Sequence, residues 1–323
     1  MSTDATSQRT PWKQVVGNAL SGNGALLGLV ALVVLLSFAN SRFLTGTNLL
    51  NVGIQASVIA ILAFGMTFVI ITAGIDLSVG SIAALSAIVT AWSATSVEVN
   101  PFLAVLLGMV VGALAGAVNG VMVAYGQIPA FVATLAMLSI ARGLTLVIAD
   151  GTPIGTPDVV TTLGSTIAEW LPVPIIVMAV MGLVAAVILN RTMLGRSMYA
   201  VGGNEEAARL SGLNVRGTLM SVYILAGLFA AVAGLVLSGR LSSAGPQAAS
   251  GYELDAIAAV VIGGASLAGG VGKISGTFIG ALVLAVIRNG LNLLNVNPFW
   301  QQVAIGVVIA LAVLADALRR RRS

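Results

Sequence analysis

The chain has 323 residues, of which 58% are hydrophobic and only 8% are charged. A soluble domain carries roughly 25% charged residues, yet only Asp76 and Glu98 are charged between Phe43 and Ala141. No soluble fold accommodates so long an apolar tract, so the composition predicts an all-α membrane protein with many transmembrane helices in the lipid bilayer. The net charge of +4 does not indicate a nucleic-acid partner, because the terminal run Arg319–Arg322 supplies four of the 15 basic residues.

Cysteine and histidine are both absent. Their absence excludes disulfides, thiol nucleophiles and the commonest metal ligand, so we expect no metal site and no cofactor of the chain's own. The first 23 residues are polar, and the first apolar run lacks a small-residue cleavage site. We therefore expect no cleavable signal peptide.

Apolar runs of membrane-spanning length divide the chain into a polar N-terminal arm (1–23), a transmembrane domain (24–317) and a basic tail (318–323). The eighth run is short and rich in glycine, which also suits a re-entrant or broken helix. The ten predicted spans cover about 24–40, 50–73, 78–95, 101–125, 130–148, 172–190, 218–238, 254–270, 274–294 and 299–317.

Ten spans place both termini on the same side of the membrane. With the N-terminus in the cytoplasm, eleven basic residues lie inside and four lie at or near the outside. Since cytoplasmic loops carry the excess of Lys and Arg, we expect cytoplasmic N- and C-termini. The polar loop 149–171 then faces outward and the charged loop 191–217 faces inward.

The charged loop predicts a short helix of about two turns. Asn204 is a typical N-cap, and Glu205 and Glu206 follow in the first turn, where the helix dipole favours anions. Glu205 and Arg209 are four residues apart and can pair, and Gly212 offers a stop. Because so short a helix is not stable alone, we interpret the loop as the place where a partner protein acts on the membrane part.

The segment GIDLSVGS at 74–81 places one carboxylate inside the longest apolar tract. A carboxylate near the membrane either caps a helix or faces a cavity. Two interpretations therefore stay open: Asp76 caps the third span at its inner boundary, or Asp76 and Ser78 line the transport route or its gate.

Two carboxylates, Glu253 and Asp255, open the eighth span, where the helix dipole favours them. We favour capping, with docking at the outer surface as the second interpretation, and expect no other polar groups to converge there. Arg142, Arg240 and Arg288 lie at or near predicted outer span ends. They either snorkel to the headgroups or pair with acidic residues of a protein that docks from outside.

The glycine-rich segment 263–273 looks like a phosphate loop, but it does not fit that motif. Position 267 is Leu where glycine is required, and Ile274 follows Lys273 where Ser or Thr is required. Tight packing of spans explains these glycines better. If ATP drives this protein, a separate subunit must bind the ATP.

Three segments resemble the bacterial ribose-type permeases, the membrane subunits of ABC sugar importers: GIDLSVGS at 74–81, LGRSMYAVGGNEEAARLSGLNV at 194–215, and YELDAIAAVVIGGASLAGGVGKISGTFIGAL at 252–282. The resemblance implies a ten-helix, type II ABC importer-like permease in the bacterial inner membrane, working as a homodimer with the pathway at the two-fold axis. It also implies a cytoplasmic ATP-binding subunit and a periplasmic or lipid-anchored sugar-binding protein.

The coupling helix of that family corresponds to Asn204–Gly212. The residues that the resemblance and the charge pattern assign to coupling with the ATPase are Gly195, Arg196, Gly203, Asn204, Glu205, Glu206, Ala207, Arg209 and Gly212.

The functional hypothesis is an importer permease for a monosaccharide, ribose or a related pentose, without an ATPase site of its own. Similar motifs occur in permeases for xylose, galactose, inositol and autoinducer-2, and nucleosides or branched-chain amino acids are further alternatives. An ion-driven secondary transporter would need several titratable groups buried within spans, and only Asp76 is a candidate. An intramembrane enzyme is disfavoured as well, because this chain has no His, no Cys and no convergent carboxylate pair that could carry catalysis.

Overall fold

The computed structural model describes residues 24–167 and 170–320, without the side chains of residues 312 and 315–320. The predicted N-terminal arm and the last three residues of the predicted tail lie outside this part of the chain. The helices are α1 (Gly24–Ala39), α2 (Gly46–Ile71), α3 (Val79–Thr95), α4 (Pro101–Ala124), α5 (Ala130–Ile148), α6 (Asp158–Thr161), α7 (Val173–Arg191), α8 (Met193–Gly203), α9 (Glu205–Leu210), α10 (Val215–Leu241), α11 (Tyr252–Ile262), α12 (Ile274–Leu293) and α13 (Pro298–Arg320). The described residues also form a 3₁₀ turn (Thr162–Gly164) and short strands of two residues each, namely β1 (Ile154–Gly155), β2 (Thr166–Ile167), β3 (Leu171–Pro172) and β4 (Ser243–Ala244).

The prediction of an all-α membrane protein is confirmed. Six helices are long and apolar enough to cross a membrane, namely α2, α4, α5, α7, α10 and α12. Helices α1, α3 and the first part of α13 are apolar but shorter. Most predicted spans match an observed helix to within a few residues, whereas the number of complete crossings stays a prediction.

The eighth predicted span is wrong beyond Ile262. Helix α11 has 11 residues, so it is about 16 Å long, roughly half of a bilayer core. Gly264, Gly269 and Gly270 follow it with φ of +90°, +86° and +71°, a region that glycine enters without steric cost. The glycines therefore end the helix and form a loop, as the broken-helix alternative predicts.

Helix α2 lies at the centre of the bundle, and every residue from 56 to 71 is buried. It packs against α7, α10, α11 and α12. The hydroxyls of Thr67 and Thr277 are 2.8 Å apart, and the side-chain amides of Asn48 and Asn289 exchange two hydrogen bonds of 3.0 and 2.8 Å. Because a buried polar group without a partner is costly, these pairs fix how α12 sits on α2.

Helices α4 and α10 approach each other through glycine. Gly108, Gly112, Gly116 and Gly120 recur every four residues on α4, and a Cβ on Gly112 would meet the carbonyl of Gly227 on α10. Small residues at this spacing let helix backbones pack closely. In the most apolar windows of α4, α5 and α7 only 28% of residues are buried, so these helices present apolar faces outward, as lipid contact requires.

The bundle has two distinct ends. Strands β1 and β4 pair with Ile154 opposite Ala244, and β2 pairs with β3. Helix α10 begins just after α9 and ends just before β4, and its 27 residues span about 40 Å. We call these the α8–α9 end and the strand end.

Candidate functional site

An elbow between α7 and α8 turns the chain at the α8–α9 end. Thr192 is the N-cap of α8: its side chain accepts a hydrogen bond from the Gly195 N–H at 3.2 Å and donates to the Ile188 carbonyl at 2.6 Å. Gly195 is buried, and a Cβ there would meet the carbonyls of Ile188 and Leu189. Gly195, predicted as a coupling residue, thus allows the close backbone packing that the turn between α7 and α8 requires.

Helix α9 is the predicted short helix, and its capping is confirmed. The Asn204 side chain accepts from the Ala207 N–H at 2.9 Å. Arg209 pairs with Glu205 at 2.7 Å and lies 3.5 Å from Glu206. All three side chains are more than half exposed, so these pairs contribute little to stability and leave their charges accessible to a partner.

Packing on two neighbours holds this short helix in place. Ala208 is buried and clusters with Val201 of α8 and Val215 of α10. Gly212 ends the turn with φ +82°, and the Leu213 N–H donates to the Ala208 carbonyl at 3.1 Å. Any displacement of α9 therefore pushes on both α8 and α10.

The predicted coupling residues form one exposed surface. Eight of the nine are exposed and only Gly195 is buried: the exposed ones are Arg196, Gly203, Asn204, Glu205, Glu206, Ala207, Arg209 and Gly212. Two apolar side chains on the same surface were missed, Met193 at 68% and Leu210 at 81% exposure. Leu210 could have been noticed as an isolated apolar residue closing a charged helix.

Helix α8 contacts the centre of the bundle. A Cβ on Gly202 would collide with the carbonyl oxygen of Ile71, at the end of α2, and with the backbone N of Gly270. The Gly270 N–H itself donates to the Ile71 carbonyl at 2.8 Å, and the Tyr199 hydroxyl donates to the Gly272 carbonyl at 2.7 Å. The surface that carries the predicted coupling residues thus connects to α2 and to the glycine loop at 263–273, beyond the flanking spans that the sequence pointed to.

Tyr199 is suited to this contact. Partial burial raises the pKa of its phenol, so the hydroxyl stays protonated and keeps donating to the Gly272 carbonyl throughout the neutral range.

A cavity of about 580 Å³ opens beside α9 and the predicted coupling residues. It lies where α9 faces the ends of α2, α4, α5 and α10. Gly74, Gln127, Arg209, Arg216 and Tyr223 are among its lining residues. The cavity reaches the chain segment that carries Asp76.

Asp76 is fully buried and holds the segment before α3 in a turn through its hydrogen bonds to Ser78. One oxygen, Oδ1, accepts from the Ser78 backbone N–H at 2.8 Å and from the Ser78 hydroxyl, and Asn119 donates to that hydroxyl at 2.8 Å. Ser78 is the N-cap residue, so Asp76 bonds one backbone N–H before the helix without capping its first turn. Within the described part of the chain, Asp76 Oδ2, Asn119 Oδ1 and the Tyr223 hydroxyl have no hydrogen-bond partner. The gate role stays a prediction.

Arg142 lies within its helix, away from the predicted outer end. It is the thirteenth of the 19 residues of α5, and its Nη1 donates to the carbonyls of Pro246 and Ala248 at 2.6 and 3.0 Å. Glu253 lies close enough to interact with it electrostatically. Arg142 thus ties the segment before α11 to α5, and Arg240 remains half-exposed near the strand end.

Asp255 and Arg288 form an ion pair between α11 and α12. The Asp255 side chain is 3% exposed, and the Arg288 guanidinium lies 5.8 Å from the centre of the Tyr252 ring. The expectation that no other polar groups converge on the start of α11 is wrong. Docking from outside stays a prediction for these residues, and the burial of Asp255 leaves it inaccessible in this conformation.

The family described as branched-chain amino acid transport system / permease component matches residues 48–313. The chain belongs to this family. The permease is 49% identical over 297 residues to the ribose import permease protein RbsC of Escherichia coli K12, with 90% of this chain and 92% of the relative covered. It is 48% identical over 296 residues to that of Bacillus subtilis 168, covering 91% and 92%. The D-allose transport system permease protein AlsC of Escherichia coli K12 is 39% identical over 295 residues, 90% of each chain. No solved structure matches the permease significantly.

Proposed function

We propose that this permease is the membrane-spanning subunit of an ABC importer that moves a monosaccharide, ribose or a related pentose, into a bacterial cell. The observation that carries the proposal is a charged, capped helix, α9, that stands exposed at one end of an apolar bundle and packs on its core. The relatives named as ribose permeases, at 48 and 49% identity over nine-tenths of the chain, support the choice of sugar. D-allose is the cargo named for a more distant relative.

The proposal includes three partners. A separate ATP-binding subunit contacts the exposed surface around α9, in the cytoplasm. A periplasmic or lipid-anchored sugar-binding protein delivers the sugar at the strand end, and a second copy of the permease completes the pathway. The excess of basic residues at the α8–α9 end and in the terminal run supports this orientation in the inner membrane.

Movement passes from the partner to the core through packed backbone. ATP binding closes the partner subunits and displaces α9, which shares the Ala208 cluster with α8 and α10. Helix α8 passes the displacement to α2 and the glycine loop through Gly202 and Tyr199. Nucleotide shifts the pathway from one side to the other only through its differential affinity for the two conformations.

Reversing the charge of α9 tests the coupling role. The double variant Glu205→Arg, Glu206→Arg leaves the apolar cluster intact, so we expect normal insertion but loss of sugar-stimulated ATP hydrolysis and of uptake. The matched control Glu205→Asp, Glu206→Asp retains both negative charges in the first turn of α9 and should keep both activities. Unchanged hydrolysis and uptake in the charge-reversed variant would reject the coupling role.

A further inference from the structure

A second cavity, of about 300 Å³, lies beside the Asp255–Arg288 ion pair. The first turn of α11, the second half of α12 and the start of α13 enclose it. Arg288 is the fifteenth residue of α12, about 21 Å from the start of that helix at the α8–α9 end. The cavity is therefore inside the layer that the helices span, beside the first turn of the 11-residue helix α11.

The groups that face this cavity are unusually polar for that depth. Its lining includes Tyr252, Asp255, Arg288, Gln301 and Gln302. The Gln301 amide is committed to the fold, since it donates to Asn292 Oδ1 at 2.7 Å and to the Val296 carbonyl at 2.9 Å. Gln302 is exposed at the cavity.

Arg288 adds a second sign that the cavity takes a polar ligand. Its side chain is 29% exposed although it lies within the membrane layer. Among the residues that the structure describes, its Nη2 pairs with Asp255 and its buried Nε has no acceptor, so Asp255 satisfies only part of the guanidinium. A charged group within the membrane layer is costly and usually belongs to a substrate route. Transporters of several folds place such routes where a helix is interrupted in mid-membrane.

We propose that Tyr252, Arg288 and Gln302 form a subsite that binds the hydroxyl groups of a monosaccharide during its passage through the permease, with the buried Asp255 holding the Arg288 guanidinium in place. A guanidinium donates, and a carboxamide both donates and accepts, which matches hydroxyls that donate and accept in turn. The Tyr252 ring offers an apolar face of the same site. This inference rests on the proposed function, because it names the place where that function holds its cargo.

A charge exchange separates the subsite from a purely structural ion pair. The variant Asp255→Arg, Arg288→Asp can re-form the pair in the opposite order. We expect its abundance in the membrane to return toward that of the native permease, while uptake of D-ribose, with the ATP-binding subunit and the sugar-binding protein present, stays at least about tenfold lower. Uptake that recovers in step with abundance would overturn the subsite.

Gln302→Leu provides a test that does not disturb the ion pair. Loss of one hydrogen bond to the sugar should lower D-ribose uptake about two- to tenfold and narrow the preference for D-ribose over 2-deoxy-D-ribose. Val303→Leu, at the next position, which is also exposed, is the matched control and should transport normally. Equal uptake and equal preference in both variants would contradict the proposal.

Direct contact distinguishes this inference from the proposed function. Saturation-transfer NMR on the purified permease in nanodiscs, with D-ribose as the probe, should give a signal that Gln302→Leu weakens and Val303→Leu preserves. That result, found together with uptake that needs no ATP, would reject the importer but support the subsite. ATP-driven uptake with the same signal in both variants would reject the subsite alone.

Discussion

Gly202 provides a sharp test of how movement reaches the core. A methyl group at this position has no room, because the atoms that it meets are the backbone carbonyl of Ile71 and the backbone N of Gly270, which cannot rotate away. Forcing extra atoms into such a contact costs about 1–3 kcal/mol. If the contact transmits the coupling, a bias of that size changes the conformational equilibrium about 5- to 150-fold.

A glycine far from the coupling residues is the matched control. A Cβ on Gly28, within α1, meets nothing within 4 Å, and its φ is not positive, so Gly28→Ala should not destabilise the permease. We expect Gly202→Ala to insert and to bind the ATP-binding subunit, yet to lose at least about 80% of uptake at equal abundance, following the lower bound of that shift. Uptake assays in proteoliposomes, corrected for permease content, measure the difference.

Tyr199→Phe extends the same test without steric strain. It removes only the 2.7 Å hydrogen bond to the Gly272 carbonyl, worth about 0.5–1.5 kcal/mol, so uptake should fall less than in Gly202→Ala. The role of this contact is refuted if Gly202→Ala and Gly28→Ala transport equally well, or if both fail together.

Three further variants test other contacts. Leu210→Ala removes a side chain that is 81% exposed on α9, so the free energy of binding to the ATP-binding subunit should weaken by about 1–2 kcal/mol. Leu241→Ala at the strand end should leave this affinity unchanged. Equal affinities of the two variants in a nanodisc binding assay would contradict the proposed interface. Asp76→Asn keeps an oxygen that can accept from Ser78, so a gate role predicts that transport falls more than abundance, and equal losses would favour a structural role. Arg142→Leu removes two hydrogen bonds from a charged donor, so we expect the permease to lose about 1.5–3 kcal/mol of stability. The loss should appear as a lower melting temperature in detergent. An unchanged melting temperature would show that the contact between Arg142 and the segment before α11 does not stabilise the fold.

Much of the fold could be predicted from local pattern alone. Apolar length located the spans because the bilayer sets the length of a crossing helix. Capping and charge spacing located α9, since Asn204 and the Glu205–Arg209 pair act within one turn. These signals are contained in a few adjacent residues, so no knowledge of the tertiary structure was needed.

The remainder depends on contacts between residues far apart in sequence. Asp255 and Arg288 are 33 positions apart, and their pairing requires α11 to end early, which the glycines at 263–273 permit but do not dictate. Gly202 looked like one glycine among 38 until the end of α2 was placed against it. Burial of Asp255 also could not be foreseen, because two acids at a helix start are equally typical of an exposed cap.

Reconstitution tests the central claim most directly. The purified permease is placed in liposomes alone, with the ATP-binding subunit, and with both that subunit and the sugar-binding protein, and accumulation of D-ribose is followed with the proton and sodium gradients collapsed. The account predicts uphill accumulation only in the complete set and only while ATP is hydrolysed. Accumulation against the gradient by the permease alone, or by any set without ATP, would contradict it.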